Sequence, residues 1–146
     1  MKYTNETIIN LPRPKVIELF DSFENMKIWA NCSSYEHLSG TPGEVGAKTK
    51  MEYTMGKRKM TMIETITKKN LPDEFNGTYE TDGAFNIVNN RFIELDGGKT
   101  HWISESEFQF SNFFMKLMGK LMPGAFKKQS QKFMDNFKNF AEGQGA

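Results

Sequence analysis

Cysteine, histidine, net charge and long apolar runs are all scarce in this chain of 146 residues. Its one cysteine, Cys32, leaves no internal disulfide framework and no four-thiolate zinc site, so a reducing, cytoplasmic setting is the expectation. The two histidines, His37 and His101, stand in no His-x-x-x-His spacing and at no motif distance from a cysteine or carboxylate, so neither a metal site nor a cofactor is expected. Lys and Arg (19) nearly cancel Asp and Glu (18), whereas a domain that grips DNA or RNA usually carries a basic excess on one face. The runs Lys57-Arg58-Lys59, Lys68-Lys69 and Lys127-Lys128 are short and scattered, and read as solvated turns and helix faces rather than a nucleic-acid surface. No apolar run approaches the ~20 residues of a spanning helix, and Met1 to Glu6 lacks the apolar stretch of a secretion signal. Export is therefore not expected, and without it the sequons at Asn5, Asn31 and Asn76 would carry no meaning. Gly43 to Thr49 lacks a glycine directly before Lys48 and leads toward a strand, which excludes a phosphate-binding loop.

What the chain does have is bulk. At 38% hydrophobic and 25% charged it describes one domain, residues 1–146, of a size that buries roughly 68–70% of its unfolded surface without a disulfide or metal. Thirteen Phe and ten Met occur in a sequence whose mean hydropathy is only −0.59. Soft, bulky side chains of this kind line adaptable apolar surfaces.

The pattern predicts a strand over Lys2 to Asn10, stopped by Pro12. Pro12 and Pro14 pre-set a helix that buries Val16, Leu19, Phe20 and Phe23, and a second short helix, Glu24 to Asn31, follows with Met26 and Trp29 three apart. Asn31 to Ser34 ends that helix before a strand from Tyr35 to Leu38. Strands and tight turns come next: Gly46–Met55, Lys59–Lys68, Glu74–Thr81, Ala84–Leu95 and Lys99–Phe110, joined at Gly56-Lys57, Asp82-Gly83 and Asp96-Gly97-Gly98. From Ser111 the spacing is helical, with a break expected near Met122 because Pro123 cannot continue the hydrogen-bond ladder. Pro123-Gly124 is also the natural hinge if one half of that closing helix moves. The fold class is α+β: an antiparallel meander of about seven strands, two short helices after the first, and a long helix across the concave face. One helix, about 10–12 Å across, cannot fill the concavity of a wide coiled sheet, so a volume is expected between them.

Several stretches taken in order resemble one family. They are Pro14-Lys15-Val16-Ile17-Glu18-Leu19-Phe20, Trp29, Leu38-Ser39-Gly40-Thr41-Pro42-Gly43-Glu44-Val45-Gly46 and Gly98-Lys99-Thr100, followed by the C-terminal helix. Together they resemble the START-like (SRPBCC) superfamily, the polyketide cyclase/dehydrase and lipid-transport group with the Bet v 1-like helix-grip fold. Gly40 to Gly46 and Phe113 to Met122 are most similar to bacterial single-domain members that are themselves similar to a carbon monoxide dehydrogenase subunit. The resemblance implies a cavity between sheet and C-terminal helix for lipids, polyketides or quinones. It does not name a reaction, since one fold hosts many.

The expected ligand-lining set starts with Trp29 on the second helix. The strands supply Met51, Tyr53, Met60, Met62, Tyr79, Asn90, Phe92 and Trp102, and the closing helix supplies Phe114, Leu117, Met118 and Leu121. Alternation groups Trp102 with Ser104, Ser106 and Phe108 on the inner face and puts His101, Glu105 and Glu107 outside, where their charge is not buried. Phe126, Phe133 and Phe137 are expected to close the core, and Cys32 to be a packed, inert thiol. Tyr53 and Tyr79 each offer a phenol that could orient a carbonyl or hydroxyl, and no His or Lys beside them on that face would make either a general acid, so no catalytic residue is assigned. The leading expectation is binding or carriage of a small hydrophobic molecule. A cyclase or dehydratase in the same cavity and a protein-interaction module are the alternatives, separated by whether polar groups converge inside and whether an apolar patch lies outside.

Overall fold

A computed structural model describes residues 1–145. Strand β1 spans Lys2–Ile9, and α1 (Arg13–Phe20) starts at Pro12, whose extended backbone and fixed φ of −65° suit the position before a helix. Helix α1 buries Val16 and Leu19, as their spacing requires. Helix α2 (Phe23–Trp29) is capped by Ser22, whose hydroxyl accepts from the Asn25 amide at 3.2 Å. Asn31 then takes a left-handed φ of 56° and turns the chain directly into β2 (Cys32–Ser39). Cys32 to Ser34 therefore belong to the strand rather than to a terminating turn, because β2 pairs along β3 (Lys48–Met55) from Cys32 opposite Tyr53 onward.

The rest follows the turn chemistry. Strands β4 (Arg58–Asn70), β5 (Glu74–Thr81), β6 (Ala84–Leu95) and β7 (Lys99–Phe110) are successive hairpins, and β1 closes onto β7 to give one seven-stranded antiparallel sheet in the order β1-β7-β6-β5-β4-β3-β2. Gly40, at φ 77°, has room for no side chain, since a Cβ there would stand 2.9 Å from the Ala47 Cα.

The expected break near Met122 is a clean division into two helices. Helix α3 (Phe113–Leu121) is capped by Asn112, whose side chain accepts from the Met115 amide at 2.8 Å, and ends at Met122; α4 (Pro123–Gly145) begins on the proline, whose missing N–H costs nothing there. Helix α4 lies chiefly along β1 and touches α1 and α2. Among the described residues no helix is long and apolar enough to cross a membrane.

Candidate functional site

Hydrogen-bond register lays the inner face out in transverse rows. Phe75, Asn90, Ser104 and Asn5 form one; Ile66, Gly77, Val88, Ser106 and Tyr3 the next; Thr49, Glu64, Tyr79, Asn86 and Phe108 the third. Trp102 points inward as alternation requires, and His101 outward. His101 meets Glu6 at 3.4 Å, while Glu105 pairs with Arg91 and Glu107 with Lys2, so the outer-face charges find partners across strands rather than along one.

One end of this face is solid. The Phe20 ring sits at the centre of Phe75, Phe92, Trp102 and Phe137, with ring centroids 5.1–5.9 Å away. Trp29 wedges between Phe133 and Phe137. The Trp102 indole donates to Asn90 Oδ1 at 2.9 Å, which satisfies one of the two indoles in this cluster. Of the expected ligand residues, Trp29, Phe92, Trp102 and Asn90 lie in this packed region.

The other end is built differently. Glu64 is 5% exposed, and Tyr79 donates to its Oε2 at 2.9 Å. The Tyr79 ring folds back over Gly77, where a Cβ would be in ordinary contact with the Tyr79 hydroxyl at 3.7 Å and tight only against the Thr65 carbonyl oxygen at 3.1 Å. Burial pushes the Glu64 carboxyl above the usual carboxylate range, against the opposing hydrogen bond from Tyr79, and Asp21 adds to the rise. Burial and the nearby Glu64 likewise push Tyr79 up, and burial does the same for Tyr53, so both phenols stay neutral. Tyr53 packs with Cys32 and Met51, its hydroxyl donating to the Met51 sulfur at 3.8 Å. Met62 lies beside that trio and Met60 further along β4, both half-buried. Cys32 is fully buried, and desolvation raises its thiol, which keeps it protonated.

Three polar atoms are buried without a partner among the described residues: Asn86 Oδ1, Asn5 Oδ1 and Trp29 Nε1. Asn86 stands between Tyr79 and Phe108 in the third row; Phe108 is half-buried, as are Val88 in the second row and Phe126, which packs on Phe108. Tyr3 and Asn5 hold α4 over the β1 edge through Ser130 (2.6 Å), the Lys127 carbonyl (3.2 Å) and Gln131 (2.9 Å).

The expected residues of α3 need correction. Phe114, Leu117 and Leu121 are 66%, 39% and 67% exposed on the outer surface, and only Met118 is partly covered. The cause is close packing on the opposite arc: a Cβ on Gly119 would stand 2.6 Å from the Phe110 ring, and Met115 abuts Gly83. Phe137 does close the core, with Phe133 against Trp29 and Phe126 on Phe108 and Phe110. Two surface hollows, of about 370 and 500 Å³, lie at the β5–β6 tip and along α4, and none of the thirteen expected residues lines them. No cluster of three metal-ligating side chains occurs among the described residues.

Glu64, Asn86 and Asn5 were not among the expected site residues. The signal for Glu64 was present: Met60, Met62, Glu64 and Ile66 alternate on β4, so a strand that turns its methionines inward turns Glu64 inward too.

No family model matches the chain, and no curated protein matches it in sequence. Solved structures do. The Thermus thermophilus protein TTHA0849 superposes with a TM-score of 0.78 at 14% identity, covering 100% of both chains. The Zhui aromatase/cyclase of Streptomyces sp. R1128 gives 0.79 at 11% identity over 100% of this chain and 96% of its own, and Ara h 8.0201 gives 0.70 at 13% identity over 97% of each. This chain has the START-like, helix-grip fold. The START-like frame accounts for the arrangement above: a coiled antiparallel sheet, two short helices after its first strand and a long helix across it.

Proposed function

We propose that this START-like domain binds a small hydrophobic molecule against the inner face of β3–β7, beneath the N-terminal half of α4. The observation that carries the reading is the hydrogen bond from half-buried Tyr79 to the buried Glu64 carboxyl, beside the unpartnered Asn86 Oδ1, with Phe108, Val88 and Met62 half-buried around it although Met51, Tyr53 and Ile66 are buried. A buried acceptor without a donor is costly, and a ligand hydroxyl or a water relieves it. Apolar burial at about 25 cal/mol per Å² would supply affinity, and the carboxyl, phenol and amide would orient one polar end. A C12–C16 chain or a flat polycycle with a hydroxyl or carbonyl fits that description.

Mass spectrometry of organic extracts of the purified protein tests this, together with titration of a C14 fatty acid and a polycyclic phenol followed by Trp29 emission in a Trp102→Phe variant. A co-purifying lipid, polyketide or quinone, and probe affinity about tenfold weaker in Tyr79→Phe, are expected; about 1.4 kcal/mol corresponds to that factor. Empty extracts and unchanged emission with both probes would overturn it.

A second reading has a specific observation in its favour. A carboxyl raised by burial and held by a phenol is a candidate general acid, so the same site suits a polyketide cyclase or dehydratase. Conversion of a linear polyketide by the wild type that disappears in Glu64→Gln distinguishes catalysis from carriage.

A further inference from the structure

Helix α3 is the most apolar helix of the molecule and buries none of its residues fully. Phe113, Phe114, Leu117 and Leu121 are 80%, 66%, 39% and 67% exposed. At 100° per residue they fall within one arc of about 100°, while Met115 and Gly119 face the body against Gly83 and Phe110. Lys116 and Lys120 project from the flank of the apolar arc and are exposed. Along the sequence the charge is one-sided: between Glu107 and Asp135 there is no acidic residue, and the lysines at 116, 120, 127, 128 and 132 are all exposed, while the exposed Asp82 lies beside Gly83, on which Met115 rests. None of the five forms an ion pair among the described residues.

We infer that α3 docks this protein onto an anionic lipid surface, lying in the headgroup plane with Phe113, Phe114, Leu117 and Leu121 among the upper acyl carbons. An apolar arc bordered by lysines matches a bilayer edge, where the lysine stems cover apolar surface and the ammonium groups reach phosphate. A nine-residue helix of about 13.5 Å is too short to span and is the right length to lie flat. The lysines also decide against a second copy as occupant. A two-fold interface through this patch would set Lys116 and Lys120 against their own equivalents, with no acidic residue in α3 to offset them. The inference does not depend on what the inner face holds.

Co-sedimentation of the full chain with vesicles of phosphatidylcholine alone, or with about one-third phosphatidylglycerol, tests it. Binding is expected to the anionic vesicles only, falling steeply between 50 and 500 mM salt, about fivefold for each lysine engaged. Phe113→Ser/Phe114→Ser should weaken binding at least tenfold with an unchanged circular dichroism spectrum, because both rings already face water. Lys116→Glu/Lys120→Glu should abolish the preference for anionic lipid. Absent sedimentation with either vesicle, or binding unaltered in both double variants, overturns the inference. So does a concentration-dependent dimer in sedimentation velocity that Phe113→Ser/Phe114→Ser dissolves, which would assign the patch to a second copy.

Discussion

The two ends of the inner face use similar residues to opposite effect. Around Phe20, the large side chains meet one another edge-on or stacked, and Trp102 is paired with Asn90, with the Trp29 indole N–H the one polar atom there left without a partner among the described residues. Around Glu64, a carboxyl is buried with one side-chain donor among the described residues, a neighbouring amide oxygen has none, and Met62, Val88 and Phe108 keep accessible surface beside the buried Met51, Tyr53 and Ile66. Stability is concentrated where packing is finished, and chemistry is available where it is not. Interiors close-packed like organic crystals hold no guest, so a binding region has to forgo some of the stabilisation that the other end supplies.

The sharpest way to break this contrast is to cut the packed end. Phe137 is fully buried between Phe20, Trp29 and Trp102, so Phe137→Ala should cost about 3–5 kcal/mol in urea unfolding. A loss under about 1 kcal/mol would mean that the aromatic end is no better packed than the other. Tyr79→Phe comes next. It strips the one side-chain donor among the described residues from a buried carboxyl, which should cost about 1–3 kcal/mol where Glu64 is ionised and less below the ordinary carboxylate range, where the carboxyl is neutral.

Glu64 itself sharpens the comparison through pH. Its folded-state carboxyl is raised by burial, so the folded protein holds a proton that the unfolded chain has already released. That group therefore favours folding below the ordinary carboxylate range, and its contribution falls as pH rises through the window between the unfolded and the folded values. Glu64→Gln should remove this fall and be the more stable variant above that window. Urea midpoints for wild type and variant that run parallel from pH 4 to 8 would refute the assignment.

The sequence and the structure agree where local rules dominate. Turn residues at 56–57, 82–83 and 96–98 and alternation along β5, β6 and β7 define those strands to the residue, because each is a hairpin with a glycine at a left-handed position. Trp102 was assignable to the interior because burying His101, Glu105 and Glu107 instead would have been prohibitive. The rule that placed Trp102 correctly is also the one that hid Glu64, since a charge on a strand is taken for an outer-face residue and only the alternation with Met60 and Met62 says otherwise. Helix α3 misled for another reason. Periodicity finds its apolar arc but not the direction in which it points; that is decided by Gly119, the one position where the Phe110 ring can approach the helix closely. An apolar stripe at helical spacing is a statement about an environment, and a lipid surface or a partner satisfies it as well as a core does.

The smallest expected effect separates the two ends most cleanly, because it compares one residue type on one face of one strand. Asn90 and Asn86 are both inward on β6, four residues apart; Asn90 accepts the Trp102 indole proton, and Asn86 Oδ1 accepts nothing. Asn90→Ala should cost about 1–3 kcal/mol, since it leaves a buried N–H unsatisfied. Asn86→Ala removes an orphan rather than creating one, and should lie within about 0.5 kcal/mol of wild type in urea unfolding, on the stabilising side. If the polar end of a ligand meets this amide, the same variant should weaken probe binding severalfold while leaving the unfolding midpoint in place. A large loss of stability in Asn86→Ala would instead show that the amide is paired in the native protein, and the two ends of the sheet would then differ in composition but not in kind.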